Sequence, residues 1–119
     1  VSWEIEKGGH KWKLRELDVA LRNGYIADVI LRYGAKEELN GLLVAVLKVG
    51  VEDVDVNVEL KFEKFEYLGR KYDVLSDAAL DVLFEKFPTF TDATLWEIVM
   101  EIMERNKIPF FRKQDFTRG

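Results

Sequence analysis

The stretch Ser2-Trp3-Glu4-Ile5-Glu6-Lys7-Gly8-Gly9-His10-Lys11-Trp12-Lys13-Leu14-Arg15 places alternating apolar and polar residues on both sides of a glycine pair. A tight two-residue hairpin turn needs positive φ at both central positions, and glycine adopts it without steric cost. With Gly8-Gly9 at the tip, the register follows. Ile5 faces Trp12 and Trp3 faces Leu14, while Glu6 faces Lys11 and Glu4 faces Lys13. One face is apolar and the other pairs opposite charges, so turn chemistry and patterning agree. The chain therefore opens on an antiparallel hairpin.

Helical spacing follows. Tyr25, Ile26, Val29, Ile30 and Tyr33 recur at intervals of three and four, the mark of an amphipathic helix. We expect a short helix from about Asp18, a break at Asn23-Gly24, and a second helix capped by Gly34. Leu39, Leu42, Leu43, Val46 and Leu47 form a stripe on a further helix over 36–49, with Glu37-Glu38 in its first turn and Gly50 as its stop. The run Leu42–Leu47 also fits a central strand.

From Val54 the period changes to two. Val54, Val56, Val58, Leu60 and Phe62 alternate with Asp53, Asp55, Asn57, Glu59 and Lys61, as in a half-buried strand. The phase slips near Glu63-Lys64, which suggests a bulge. A turn at Gly69-Arg70 then sets Tyr67 opposite Tyr72 and Phe65 opposite Val74. Two helices come next. Ser76 caps the first, whose stripe Leu80, Leu83, Phe84 and Phe87 runs to Pro88. Thr91 caps the second, with Leu95, Trp96, Val99, Ile102 and Met103 facing inward, and the pair reads as an αα-hairpin packed on the sheet. Residues 108–112 read as an edge strand. The sum is one α+β domain over 1–119: an antiparallel sheet of four to five strands with about five helices, mainly packed on one face.

Composition narrows the function classes. The 119 residues suit one domain, and 15 aromatic side chains are available for its core. There is no cysteine, which excludes disulfides, thiolate nucleophiles and Cys-type zinc sites. One histidine and two serines leave few nucleophilic constellations, so carboxylate chemistry is the enzymatic route still open. No cofactor motif is present. No run is long and apolar enough for a membrane span, and an acidic, strand-like start is no signal peptide. We therefore expect a cytoplasmic protein. The chain begins without an initiator Met, so it is either processed or preceded by further residues. Thirteen Glu and 11 Lys against one Gln is the compositional habit of hyperthermophiles.

Charge is uneven. Residues 1–15 carry +2, residues 16–104 carry −10 and residues 105–119 carry +4. An acidic body disfavours broad nucleic-acid binding, which rests on phosphate contacts.

Two short resemblances stand out. Ala20-Leu21-Arg22-Asn23-Gly24 with Asp28-Val29-Ile30-Leu31-Arg32-Tyr33-Gly34-Ala35 resembles the helix–loop–helix part of an ankyrin repeat. The family's Thr-Pro-Leu-His opening is missing and no copy follows, so an array is excluded, because one repeat cannot bury its own face. Glu59-Leu60-Lys61 resembles the Glu-x-Lys element of the PD-(D/E)xK nucleases. That resemblance implies Mg²⁺ held by Asp53 or Asp55 with Glu59, and Lys61 positioning water. Another acid, Asp28 or Glu38, would have to converge with them.

The plainer reading of Asp53, Asp55 and Glu59 is a solvated strand face opposite Lys11, Lys13 and Arg15. The outward carboxylates Glu97, Glu101 and Glu104 of the last helix argue against a DNA-recognition helix. The basic, aromatic tail holds Phe110, Phe111, Arg112 and Lys113. Such a segment anchors a protein partner or stacks bases, or it simply completes the core. The preferred expectation is a non-enzymatic protein-binding or self-associating module, with a homo-oligomer formed through the 108–112 edge as one form of it. The alternatives are a divalent-metal-dependent enzyme acting on nucleic acid, and a nucleic-acid binder using the basic tail.

Overall fold

The computed structural model describes residues 1–33, 39–88 and 93–108. It is an α+β fold. Strands β1 (Ser2–Lys7) and β2 (His10–Arg15) form the opening hairpin, and β3 (Val51–Val54) pairs antiparallel with β2. Strands β4 (Phe62–Tyr67) and β5 (Arg70–Leu75) form a separate two-stranded sheet. Between β2 and β3 lie a π-helical stretch (Ala20–Tyr25), α1 (Ile26–Tyr33) and α2 (Leu39–Gly50). Helices α3 (Asp77–Lys86) and α4 (Thr94–Arg105) follow β5. Among the described residues the expected single sheet is thus two sheets, of three and two strands, with four α-helices.

The first hairpin has the register expected from its turn, with Trp3 opposite Leu14 and Ile5 opposite Trp12. Gly8 and Gly9 both take positive φ, 61° and 78°. Trp12 and Leu14 are fully buried, and the Trp12 indole N–H donates to Lys7 O at 3.1 Å.

The second hairpin differs from expectation. Its turn is Leu68-Gly69, not Gly69-Arg70, and both turn residues take positive φ, 50° and 78°. Tyr67 therefore faces Arg70 and Phe65 faces Tyr72. The bulge expected at Glu63-Lys64 is absent, because Phe62 to Tyr67 pair without interruption against Leu75 to Arg70. The register irregularity lies instead between β2 and β3, at Lys13/Leu14.

The long strand expected from Val54 stops where it was expected to start. Val56 N–H donates to Val54 O at 2.8 Å, a tight local turn that takes the backbone out of the sheet. Residues 55–61 are irregular. The alternation misled because Val54 and Leu60 are buried in both arrangements, whereas Val58 is exposed. Loss of this segment from the ladder is what splits the sheet in two.

The Asn23-Gly24 break is also a correction. These residues lie within the π-helical stretch, which runs directly into α1. Asp18 starts it as expected, its Oδ1 accepting the Leu21 N–H at 2.9 Å. The Tyr67 ring tip packs at Gly24, where a Cβ would stand 2.9 Å from its hydroxyl oxygen.

Helix α2 is the hub. Leu42, Leu43, Val46 and Leu47 are all fully buried, each such side chain contributing about 1.5–3 kcal/mol of burial. Helix α4 packs chiefly on α2 and touches β1, so α3 and α4 do not make the expected αα-hairpin. Leu95, Ile98, Val99, Ile102 and Met103 supply its inner face. Ser76 caps α3, its Oγ accepting the Ala79 N–H at 3.2 Å. Among the described residues, no helix is long and apolar enough to cross a membrane.

Candidate functional site

The acidic residues singled out in the sequence are exposed, and Asp53 and Asp55 make local contacts. Asp53 Oδ1 accepts its neighbour's N–H, that of Val54, at 2.9 Å. Asp55 Oδ1 lies 2.9 Å from His10 Nδ1. Burial pushes the Asp55 carboxyl up, but the Lys11 backbone N–H and His10 outweigh it and hold the group below the usual carboxylate range. Glu59 and Lys61 lie on the irregular segment beyond β3, and the Lys61 carbonyl accepts the Ser76 N–H at 3.0 Å. Asp28 sits apart on α1, 3.4 Å from the Tyr67 hydroxyl, and Glu38 lies outside the described residues. Among the described residues, no group of three or more His, Asp or Glu is gathered so as to hold a metal ion. Phe110, Phe111, Arg112, Lys113 and the cap Thr91 also lie outside the described residues.

Sequence reasoning did not single out Glu52, which is the better-held acid of this strand. Its carboxylate meets Lys13 Nζ at 3.0 Å and accepts from Ser2 Oγ at 2.9 Å. The Lys13 hydrogen bond is the main reason its carboxyl lies below the ordinary range. This is the cross-strand charge pairing expected of a solvated sheet face.

Asp18 is a structural hub rather than a free acid. Burial pushes its carboxyl up, yet hydrogen bonds from the Leu21 N–H, Tyr72 and Arg70 together bring it below the ordinary range. Tyr72 donates at 2.8 Å and Arg70 at 3.2 Å. Both carboxylate oxygens are therefore engaged, and the group ties the start of the π-helical stretch to β5.

One concave surface among the described residues lies where α1 passes the end of α4. A groove of about 360 Å³ is lined by Arg22, Asn23, Ala27, Ile30, Leu31, Lys107 and Ile108. Its floor is aliphatic, and its rim carries the two cations. Leu31 is 75% exposed, although it belongs to a helix whose Ile26 and Val29 are buried. Neither Arg22 nor Lys107 is in an ion pair among the described residues. The π-helical stretch places Arg22 and Asn23 at this rim, and such stretches are frequent at functional sites. Lys107 follows the α4 cap in the left-handed region, φ 57°, and Ile108 is fixed by its N–H donating to Met103 O at 2.8 Å. The groove joins residues far apart in the chain, so only its helical half had a sequence signal.

The comparisons with known proteins end without a match: no family model, no curated protein and no solved structure matches this chain.

Proposed function

We propose that this chain is a binding module without catalytic chemistry of its own, and that its partner is a protein segment of acidic, amphipathic character. The observation that carries this reading is the groove between α1 and the end of α4. An aliphatic floor takes the apolar face of a helix or extended peptide. Two cations at the rim, without an ion pair among the described residues, favour carboxylates beside that face and penalise like-charged competitors. The exposed Leu31 is the natural anchor at the lip. The sequence that continues past Ile108 adds Phe110, Phe111, Arg112 and Lys113, of the same aromatic and basic character.

The test compares two short amphipathic helical peptides with leucines on one face, flanked by Glu in one and by Lys in the other. The acidic peptide is expected to bind and the basic one not. Leu31→Glu or Lys107→Glu should each weaken binding roughly tenfold or more. Equal affinity for both peptides, or indifference to both substitutions, overturns the reading. Light scattering on the chain alone identifies self-association. A concentration-dependent mass increase lost in Leu31→Glu makes a second copy the occupant.

A further inference from the structure

A second cavity lies on the other side of α1, between it and α2, and its chemistry differs. It is an open cleft of about 440 Å³, lined by Tyr25, Val29, Arg32, Tyr33, Asn40, Gly41, Val44, Ala45 and Lys48. Its floor is Val29, Val44 and Ala45. Its walls carry two phenols, an amide, a guanidinium and an ammonium.

Three features make it a formed site rather than a gap. The Tyr25 ring is fixed against Phe65 at 4.8 Å and Tyr67 at 5.6 Å between centroids. The Tyr33 ring lies directly on the backbone of α2 at Gly41, where a Cβ would come within 2.6 Å of its Cδ1 and Cε1 atoms. Glycine at this position therefore lets the ring form a wall. Lys48 Nζ is held by Glu63 at 2.7 Å and Asp77 at 3.2 Å, so its charge is fixed at the edge.

Arg32, Asn40 and the hydroxyls of Tyr25 and Tyr33 have no hydrogen-bond partner among the described residues. Burial pushes the Tyr25 hydroxyl up, so it remains a donor at neutral pH. Lys48 is already matched by two carboxylates, which leaves Arg32 as the uncommitted cation. A guanidinium presents a planar fork that matches a carboxylate with two parallel hydrogen bonds. Small-ligand sites combine an apolar floor with a few convergent polar groups in this way, at volumes of roughly 300–1,000 Å³.

We infer that the cavity between α1 and α2 binds a small aromatic or aliphatic carboxylate, its apolar body on Val29, Val44 and Ala45 and its carboxylate on Arg32 with the tyrosine hydroxyls. This inference does not depend on the protein-binding reading, which uses the opposite flank of α1.

Isothermal titration with 2-naphthoate and with the neutral 2-naphthylmethanol tests it. The expected result is roughly tenfold tighter binding of the carboxylate. Arg32→Gln should bring the two probes within about twofold of each other, since it removes the charge but not the floor. Gly41→Ala, which drives the Tyr33 ring off its seat, should weaken both. Arg32 is exposed, and a thermal melt of each variant reports its folding. Absence of saturable binding by the wild-type chain overturns the inference, and so does a carboxylate preference that survives Arg32→Gln.

Discussion

The Asn106 side-chain oxygen accepts the backbone N–H of Leu17 at 2.7 Å, and both residues are buried. The same side chain donates to Ile102 O at 2.9 Å and to Arg15 O at 3.4 Å. One amide thus fastens the segment leaving β2 to the last turn of α4. Asn106→Leu keeps the volume and strands the buried Leu17 N–H, at a cost of about 2–4 kcal/mol. Urea unfolding measures it. A loss below about 1 kcal/mol would mean that the N–H finds another partner.

The turn residue Leu68 is 75% exposed and sits in the left-handed region. A side chain with a Cβ is strained there by roughly 1–2 kcal/mol. Leu68→Gly removes that strain but gains freedom in the unfolded chain, so we expect a net stabilisation of about 0.5 kcal/mol. The matching change in the first hairpin should do the opposite. A Cβ on Gly8 would meet Thr94 Cγ2 at 3.0 Å and Phe87 Cε1 at 3.1 Å. Paired thermal melts of Leu68→Gly and Gly8→Leu should move in opposite directions.

Acid should weaken the fold through Asp18, Glu52 and Asp55, whose carboxyls all lie below their ordinary values when folded. Groups with depressed folded values contribute their stability above the unfolded value, near pH 4, and lose it as pH falls through the folded value. Stability should therefore be level from about pH 5 to 7 and decline below about pH 4. Asp18→Ala should flatten part of that decline and lower neutral-pH stability by about 1 kcal/mol, the typical worth of a helix cap. Unfolding curves collected across pH 2–7 for both proteins show whether the acid limb changes.

Gly50 closes α2 against α4. A Cβ there would stand 2.7 Å from Ile102 Cδ1 and 2.8 Å from its Cγ2, with both residues buried. Gly50→Ala should cost about 1–3 kcal/mol by overpacking, despite alanine's better helix propensity. Combining it with Ile102→Val should recover part of the loss, and a double-mutant cycle reads the coupling.

Leu31→Glu should leave the melting curve nearly unchanged, within about 0.5 kcal/mol, since it alters an exposed position. Its effect is expected on partner binding alone. A large loss of stability would show Leu31 to be structural.

The first hairpin was legible because turn, cross-strand charges and apolar face all point to one register. The second lies two residues from the register its sequence suggests, because Gly69-Arg70 has the residue types of a turn and leucine seldom takes the left-handed conformation that Leu68 holds. Alternation from Val54 to Phe62 has the period of a strand, but Val54 and Leu60 are buried on an irregular backbone just as well. Asn23-Gly24 carried a turn signal that helical continuity on both sides overrode, giving a π-helical stretch. The groove and the α1–α2 cavity were not legible. Ile30 and Tyr33 have the spacing of ordinary core residues, and only the meeting of α1 with Lys107 and Ile108, or with Gly41 and Lys48, gives them walls.

The position of α4 has a consequence for how the chain is made. This helix covers both α2 and β1, with Arg105 stacked over the Trp3 ring at 5.4 Å and Lys7 reaching Glu97 at 3.8 Å. The opening hairpin forms from local contacts, but the helix that covers it is synthesised much later. During vectorial synthesis the hairpin and the leucine stripe of α2 wait with their apolar faces uncovered. Closure is a late, long-range event of the kind that slows folding. A ribosome stalled before Ile98 and Ile102 leave the exit tunnel would hold a chain open to premature association and proteolysis.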